Sequence, residues 1–142
     1  MLEFVICDDD KKFLEKVINV INKIMLKKNL EYTISKFYDF DKKFLDNLSS
    51  KEGPRIYILD IELPSRSGIN VGKMIRKNDL ESPIIFLTGH EELGNLLLRK
   101  DINFFAFINK FEDSQFPYKH RNRWIFGTVI IRGKNNQIFF MV

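Results

Sequence analysis

The sequence of 142 residues has few of the features that mark secreted and membrane proteins. Its single cysteine, Cys7, excludes a disulfide framework within the chain and favours a reducing compartment. No signal-peptide pattern opens the sequence, and no apolar run approaches the roughly 20 residues that a membrane-spanning helix requires. Repeats and low-complexity segments are also absent. With 44% apolar residues the chain can form the core of one domain, which we expect to be cytoplasmic.

The C-terminal part contains no acidic residue. All 19 acidic side chains lie in residues 1–113, together with all but five of the 23 basic ones, so this part carries a net charge of −1. Residues 114–142 hold the remaining five basic side chains, which gives them a charge of +5. The overall charge of +4 therefore belongs to the tail, and it does not indicate nucleic-acid binding by the main part of the chain.

Apolar periodicity alternates between strand and helix patterns along the first 110 residues. The helix patterns place apolar residues at three-four spacing, whereas the strand patterns are short and almost continuously apolar. The predicted strands are residues 3–7, 32–40, 55–60, 83–88 and 103–109, and the predicted helices are residues 11–29, 41–48, 69–77 and 91–100. This alternation predicts a doubly wound α/β fold with a five-stranded parallel sheet.

Four of the predicted strands end on polar side chains. The carboxyl ends of parallel strands lie at one edge of the sheet, so we expect these side chains to meet. They are Asp8, Asp9 and Asp10 after the first strand, Asp60 at the end of the third, Thr88 at the end of the fourth and Lys110 after the fifth. Carboxylates, a hydroxyl and an ammonium suit a divalent cation and a phosphoryl group. The pattern indicates a phosphoacceptor switch, in which Asp10 serves as the N-cap of the first helix.

Four short motifs follow one another in the same region. They are Ile6-Cys7-Asp8-Asp9-Asp10, Leu59-Asp60-Ile61-Glu62-Leu63-Pro64 with Gly68 four residues on, Leu87-Thr88-Gly89-His90, and Ile108-Asn109-Lys110. In this order they resemble the receiver domain of two-component response regulators, over residues 1–113. They are most similar to the accessory-gene-regulator type, in which a LytTR DNA-binding domain usually follows the receiver. The resemblance implies a flavodoxin-like fold with strand order 2-1-3-4-5.

The resemblance also implies how the acidic residues act. Asp60 is the implied phosphoacceptor, which receives a phosphoryl group from a sensor histidine kinase. Asp8 and Asp9 are implied to bind Mg²⁺ together with Asp60 and the backbone carbonyl of Glu62. On the residues alone, the three successive aspartates have a second interpretation as a solvated cap of the first helix.

The remaining motif residues are implied to respond to the phosphoryl group. Thr88 would bind one of its oxygens and move towards it, and Lys110 would pair first with Asp60 and then with the phosphate. Phe107 occupies the aromatic switch position, although it lacks the hydroxyl that a tyrosine has. Phe111 follows the lysine where receivers often have proline. The implied chemistry is limited to self-phosphorylation and dephosphorylation, so we do not expect an enzyme in the ordinary sense.

Residues 114–142 depart from the receiver pattern. No amphipathic stripe predicts a fifth helix, and residues 125–132 and 137–142 instead have a β-hairpin pattern. This basic, aromatic tail is interpreted as a truncated or out-of-frame output region, so DNA binding would require an absent or truncated domain. We expect the tail to cover sheet surface and to support a homodimer or a higher assembly. Two alternatives remain open: an interaction module with a vestigial acidic site, and a regulator that binds DNA through the tail.

Overall fold

The computed structural model describes residues 1–50, 52–89, 106–110, 119–120 and 123–124. Strands and helices alternate along the first part of the chain. In chain order they are β1 (Leu2–Cys7), α1 (Lys11–Lys28), β2 (Tyr32–Phe37), α2 (Lys42–Ser49), β3 (Arg55–Asp60), α3 (Gly68–Asn78), β4 (Ile84–Thr88) and β5 (Ala106–Asn109). The helices predicted at residues 11–29, 41–48 and 69–77 are therefore confirmed to within one residue at either end.

The main sheet is parallel, and its strand order is β2-β1-β3-β4-β5. The predicted α/β fold with a parallel sheet is confirmed for β1 to β4. The last strand occupies Ala106–Asn109, while residues 103–105 of the predicted strand lie outside the described residues. The helix predicted at residues 91–100 and any fifth helix also lie outside them. Central β3 is buried at all six positions, which explains why its apolar run is continuous rather than alternating.

Helices cover both faces of this sheet. On one face, α1 packs a three-four stripe against side chains from β1, β3 and β4; the stripe consists of Leu14, Val17, Ile21 and Met25. On the other face, α2 contributes Phe44, and α3 contributes Val71 and Ile75. Burial of each such side chain stabilises the fold by about 1.5–3 kcal/mol. Because strand residues alternate between the two cores, the sheet is doubly wound as far as it is described.

Local side-chain chemistry sets where the helices begin. Asp10 caps α1 by accepting a hydrogen bond from the Phe13 amide at 3.1 Å, so its predicted capping role is confirmed. Asp41 caps α2 in the same way. At the other end of α1, Asn29 adopts a left-handed conformation with φ 51° and its amide bonds the last carbonyls of the helix.

Strand β2 ends earlier than predicted. It stops at Phe37 rather than at residue 40, because Asp39 turns the chain. The Asp39 carboxylate accepts the amide of Phe40 at 2.9 Å, and Phe40 then enters the core beside α2 and α3. A polar residue that bonds its own backbone in this way competes with the strand ladder.

A second, two-stranded sheet follows in the tail. β6 (Lys119–His120) and β7 (Arg123–Trp124) pair antiparallel. The hairpin predicted at residues 125–132 and 137–142 lies outside the described residues. Within the described part of the chain, no helix has the length and apolarity needed to cross a membrane.

Candidate functional site

The strand register brings the predicted site residues to one edge of the sheet. Cys7, the last residue of β1, lies beside Leu59 of β3, so Asp8 and Asp60 extend from neighbouring strands. Asp60 in turn lies beside Leu87, one residue before Thr88 at the end of β4. These positions follow from parallel pairing alone, as the sequence predicts.

Asp60 is buried at the centre of this edge, with an exposed fraction of 5%. Its Oδ1 accepts the backbone amide of Glu62 at 3.1 Å, which holds the carboxylate against the loop that follows β3. Its Oδ2 accepts a hydrogen bond from Lys110 Nζ at 2.8 Å. The carboxylate is therefore held on both oxygens by donors that fix its orientation.

Asp8 is completely buried, and its two oxygens have different surroundings. Oδ1 accepts the backbone amide of Asp10 at 2.8 Å. Oδ2 lies 2.6 Å from Lys110 Nζ in an ion pair, but it has no hydrogen bond of good geometry within the described residues. Asp9 is exposed beside it. The carboxylates of Asp8, Asp9 and Asp60 each place one oxygen within 4.8 Å of the others.

This donor set fits a magnesium ion. Mg²⁺ prefers oxygen ligands, uses only one or two carboxylates and keeps several waters. The buried Oδ2 of Asp8 accepts no hydrogen bond of good geometry within the described residues, and exposed Asp9 leaves one side open to water. The predicted metal residues Asp8, Asp9 and Asp60 are thus brought together. Glu62 lies in the adjoining loop, and its amide hydrogen bond to Asp60 Oδ1 places its backbone next to the same edge.

The ionisation of Asp8 reflects this position. Burial raises the pKa of Asp8 from 3.8 to about 6, although its pairing with the positively charged Lys110 opposes the shift. The negative charge of Asp60 adds a smaller upward contribution. Burial by itself lowers the pKa of Lys110, but its hydrogen bond to Asp60 and the negative charges of Asp60 and Asp8 together raise it. Lys110 is therefore a permanent cation between two carboxylates.

Backbone and ring contacts hold Lys110 in place. Its amide donates to the carbonyl of Thr88 at 2.8 Å, which continues the pairing of β4 and β5 by one residue. Its ammonium lies 5.1 Å from the centroid of the Phe13 ring. With 8% of its side chain exposed, Lys110 is shielded from solvent on most sides. The sequence predicted its contact with Asp60 but missed those with Asp8 and Phe13.

The loop after β3 is closed over a glycine. Gly68 begins α3, and its amide donates to the Ile61 carbonyl at 2.7 Å. A Cβ atom at Gly68 would lie 2.1 Å from the carbonyl oxygen of Asp60, so no other residue fits without moving the backbone. The glycine of the second motif is therefore explained by close approach of α3 to the phosphoacceptor candidate.

Asp39 holds the same loop from outside, a contact that the sequence analysis did not predict. Its carboxylate accepts hydrogen bonds from both the amide and the hydroxyl of Ser65. The hydroxyl bond of Ser65 is the main reason why the pKa of Asp39 is lowered, and burial opposes it. Asp39 and Ser65 are 26 residues apart, so only the folded sheet edge brings them together.

Two predicted switch residues are located in part. The side chain of Thr88 is buried at the end of β4, one residue beyond Leu87, the register partner of Asp60. Phe107 lies in β5, where the structure describes the backbone alone, so its switch role stays a prediction.

Cys7 is buried in the core as expected, and burial together with nearby carboxylates raises the pKa of its thiol.

Comparison with known proteins shows which proteins share this arrangement. The family model described as "Response regulator receiver domain" matches residues 4–116. The chain is 30% identical over 110 residues to accessory gene regulator protein A of Staphylococcus aureus (strain N315), covering 77% of this chain and 46% of that protein. It is 33% identical over 81 residues to transcriptional regulatory protein DltR of Streptococcus agalactiae, covering 57% of this chain and 29% of that protein. The chain thus spans less than half the length of these relatives.

Solved structures agree on the fold. A CheY-like receiver domain from Methanospirillum hungatei superposes with a TM-score of 0.64 at 18% identity, covering 80% of this chain and 84% of that one. The BeF3-activated DrrB receiver domain gives a TM-score of 0.62 at 23% identity, with coverages of 80% and 87%. The family model covers the described parallel sheet except for the first two residues of β1, and the acids, the hydroxyl and the lysine of this chain lie at one edge of that sheet. The chain therefore belongs to the response regulator receiver domain family.

Proposed function

We propose that the chain is a phosphorylation-controlled switch in which Asp60 accepts a phosphoryl group from a sensor histidine kinase. The observation that carries the proposal is the state of Asp60, a buried carboxylate held between the Glu62 amide and the Lys110 ammonium. A carboxylate that needed only to cap a turn would not require a buried cation on its second oxygen. The same edge gathers two further acids, Asp8 and Asp9.

In the proposed reaction, Asp60 Oδ2 attacks phosphorus while the bond from phosphorus to the donor's imidazole nitrogen breaks. The imidazole leaves with the bonding electrons and takes up a proton, and an aspartyl phosphate forms. Asp8 and Asp9 would hold Mg²⁺, which when bound neutralises charge on the transferring group. Lys110 stays near the new phosphoryl oxygens, and positioning supplies most of the rate because little covalent chemistry falls to the protein.

The signal would then spread from Thr88. Its position at the end of β4, one residue beyond the register partner of Asp60, supports a role in which its hydroxyl moves towards a phosphoryl oxygen. A new charge of about −2 at Asp60 would draw this hydroxyl and Lys110 inward. We propose that the resulting change controls transcription through a DNA-binding output domain. The names of the two relatives, a gene regulator and a transcriptional regulatory protein, support this proposal.

The phosphoacceptor assignment is tested by incubating the full chain with acetyl phosphate and Mg²⁺ and measuring intact mass. One added phosphate is expected on the parent, none on Asp60→Asn, and a slower addition when EDTA replaces Mg²⁺. The Asp10→Asn variant is the matched control, because asparagine caps a helix as well as aspartate does and the change removes an acid from the same run. Equal labelling of Asp60→Asn and the parent would refute the assignment.

A further inference from the structure

The ring of Phe13 covers the ammonium group on which the site depends. Lys110 Nζ lies 5.1 Å from the ring centroid, within the range in which a cation is attracted to an aromatic face. Two other groups touch the same nitrogen, Asp8 Oδ2 at 2.6 Å and Asp60 Oδ2 at 2.8 Å. The ammonium is therefore enclosed by two carboxylates and one aromatic ring.

A closed set of contacts fixes where the ring lies. Asp8 Oδ1 accepts the amide of Asp10, and Asp10 Oδ1 accepts the amide of Phe13. The Phe13 ring faces Lys110, and Lys110 pairs with the second oxygen of Asp8. We call this set the Asp8–Phe13–Lys110 circuit. One buried carboxylate thus holds both the beginning of α1 and the lysine that the α1 ring covers.

The ring adds a restraint that the carboxylates do not supply. A lysine has a flexible four-carbon stem and a strongly hydrated ammonium, so ion pairs alone leave it free to turn towards solvent. The electron-rich face of an aromatic ring attracts a cation, so the Phe13 ring favours a position of the ammonium beside it. The Phe13 side chain also packs against the core on the α1 face, which limits its own movement.

We propose that Phe13 is a positioning residue for phosphoryl transfer, acting through Lys110. The inference rests on the proposed function of Asp60. When Asp60 becomes phosphorylated, its carboxylate no longer pairs with the ammonium as before. The ring keeps Lys110 next to the phosphoryl oxygens during that change. Loss of the ring therefore lowers the rate of phosphorylation without removing the phosphoacceptor.

The test compares initial rates of phosphorylation of the full chain by acetyl phosphate with Mg²⁺. Phe13→Leu keeps an apolar side chain and removes the aromatic face, and it is expected to lower the rate about threefold to thirtyfold. Phe13→Tyr keeps the face and is expected to stay within about twofold of the parent. The matched control is Tyr38→Leu, which removes the ring that lies 5.2 Å from Lys11 Nζ, a lysine with no carboxylate of the site as its partner in the described contacts.

A double-mutant cycle separates positioning from general damage to the fold. In a Lys110→Ala background, Phe13→Leu is expected to change the rate by less than about twofold, because the group on which the ring acts is gone. A merely structural role would give the same loss in both backgrounds. If Lys110→Ala is too slow to measure, the Hε resonances of Lys110 provide a second readout. The ring is expected to shift them upfield, so they should move towards ordinary values in Phe13→Leu.

The outcomes distinguish this inference from the proposed function. A parent that takes up no phosphate refutes the function of Asp60. A parent that is labelled, with Phe13→Leu equally fast or with equal losses in the two backgrounds, leaves the function intact and overturns the role of Phe13. Unchanged Lys110 Hε resonances in Phe13→Leu would likewise overturn it.

Discussion

Replacing Asp8 by asparagine tests the electrostatics of the site without relying on catalysis. The carboxyl is completely buried, and its pKa rises from 3.8 to about 6, mainly because of that burial. The folded protein therefore binds this proton more tightly than the unfolded chain does. Between these two pH values the free energy of unfolding falls as pH rises, and above pH 6 the full cost of the charge is present. Two pH units correspond to about 3 kcal/mol.

The Asp8→Asn variant should lack this pH dependence. In EDTA, parent and variant are expected to have similar free energies of unfolding near pH 4, where the parent's carboxyl is protonated. At pH 7.5 the variant should be more stable by about 2–3 kcal/mol, or about 5–10 °C in melting temperature. Mg²⁺ should stabilise the parent alone and shrink the difference, since asparagine removes a charged ligand.

Urea unfolding followed by circular dichroism at pH 4 to 8 measures the effect. Asp10→Asn serves as the control, because that side chain is exposed and its capping role is retained. Parallel curves for parent and Asp8→Asn across the whole pH range would refute the reasoning. So would a variant that is less stable than the parent at pH 7.5 without metal, since it would mean that the pair with Lys110 outweighs burial.

Three further predictions concern the same chain. Titration with Mg²⁺ should move the amide signals of residues 8, 9, 60 and 62 together, and Asp9→Ala should weaken binding whereas Asp10→Asn should not. Gly68→Ala should destabilise the fold by about 1–3 kcal/mol in urea and slow phosphorylation, because its Cβ would meet the Asp60 carbonyl at 2.1 Å; unchanged stability would contradict the close approach. The full chain should be a dimer or larger by light scattering, and deletion of residues 114–142 should yield a monomer; a monomeric parent would leave the proposed assembly unsupported.

The parts of the fold that depend on local pattern could be predicted from the sequence. The continuous apolar run of β3 and the three-four spacing of α1 predicted the ends of both elements to within one residue. A strand that is buried on both faces leaves a continuous apolar run in the sequence, and a helix that is buried on one face leaves a three-four spacing. The meeting of Asp8 and Asp60 followed from parallel pairing. Asp39 was missed because its partner Ser65 lies 26 residues away, and no local pattern records such a contact.

The sequence predicted which residues form the site better than it predicted the energies of their interactions. A sequence shows only that the carboxylates are crowded, and crowding alone would make like-charge repulsion the main cost. In the structure, burial is the larger cause of the raised pKa of Asp8, and Asp60 contributes less. The difference arises from Lys110, which lies between the two acids, a placement that one lysine after a strand does not reveal.

Because Lys110 lies between the acids, a substitution that changes only charge has a limited ability to imitate phosphorylation of Asp60. Three carboxylates and one ammonium leave two negative charges, which one divalent cation would neutralise. Converting the Asp60 carboxylate into an aspartyl phosphate then alters the total by about one charge. The larger change is in geometry, because three directed oxygens replace one planar group. A glutamate at position 60 would supply length and the same single charge but no tetrahedral array, so it should fail as a mimic of the active state.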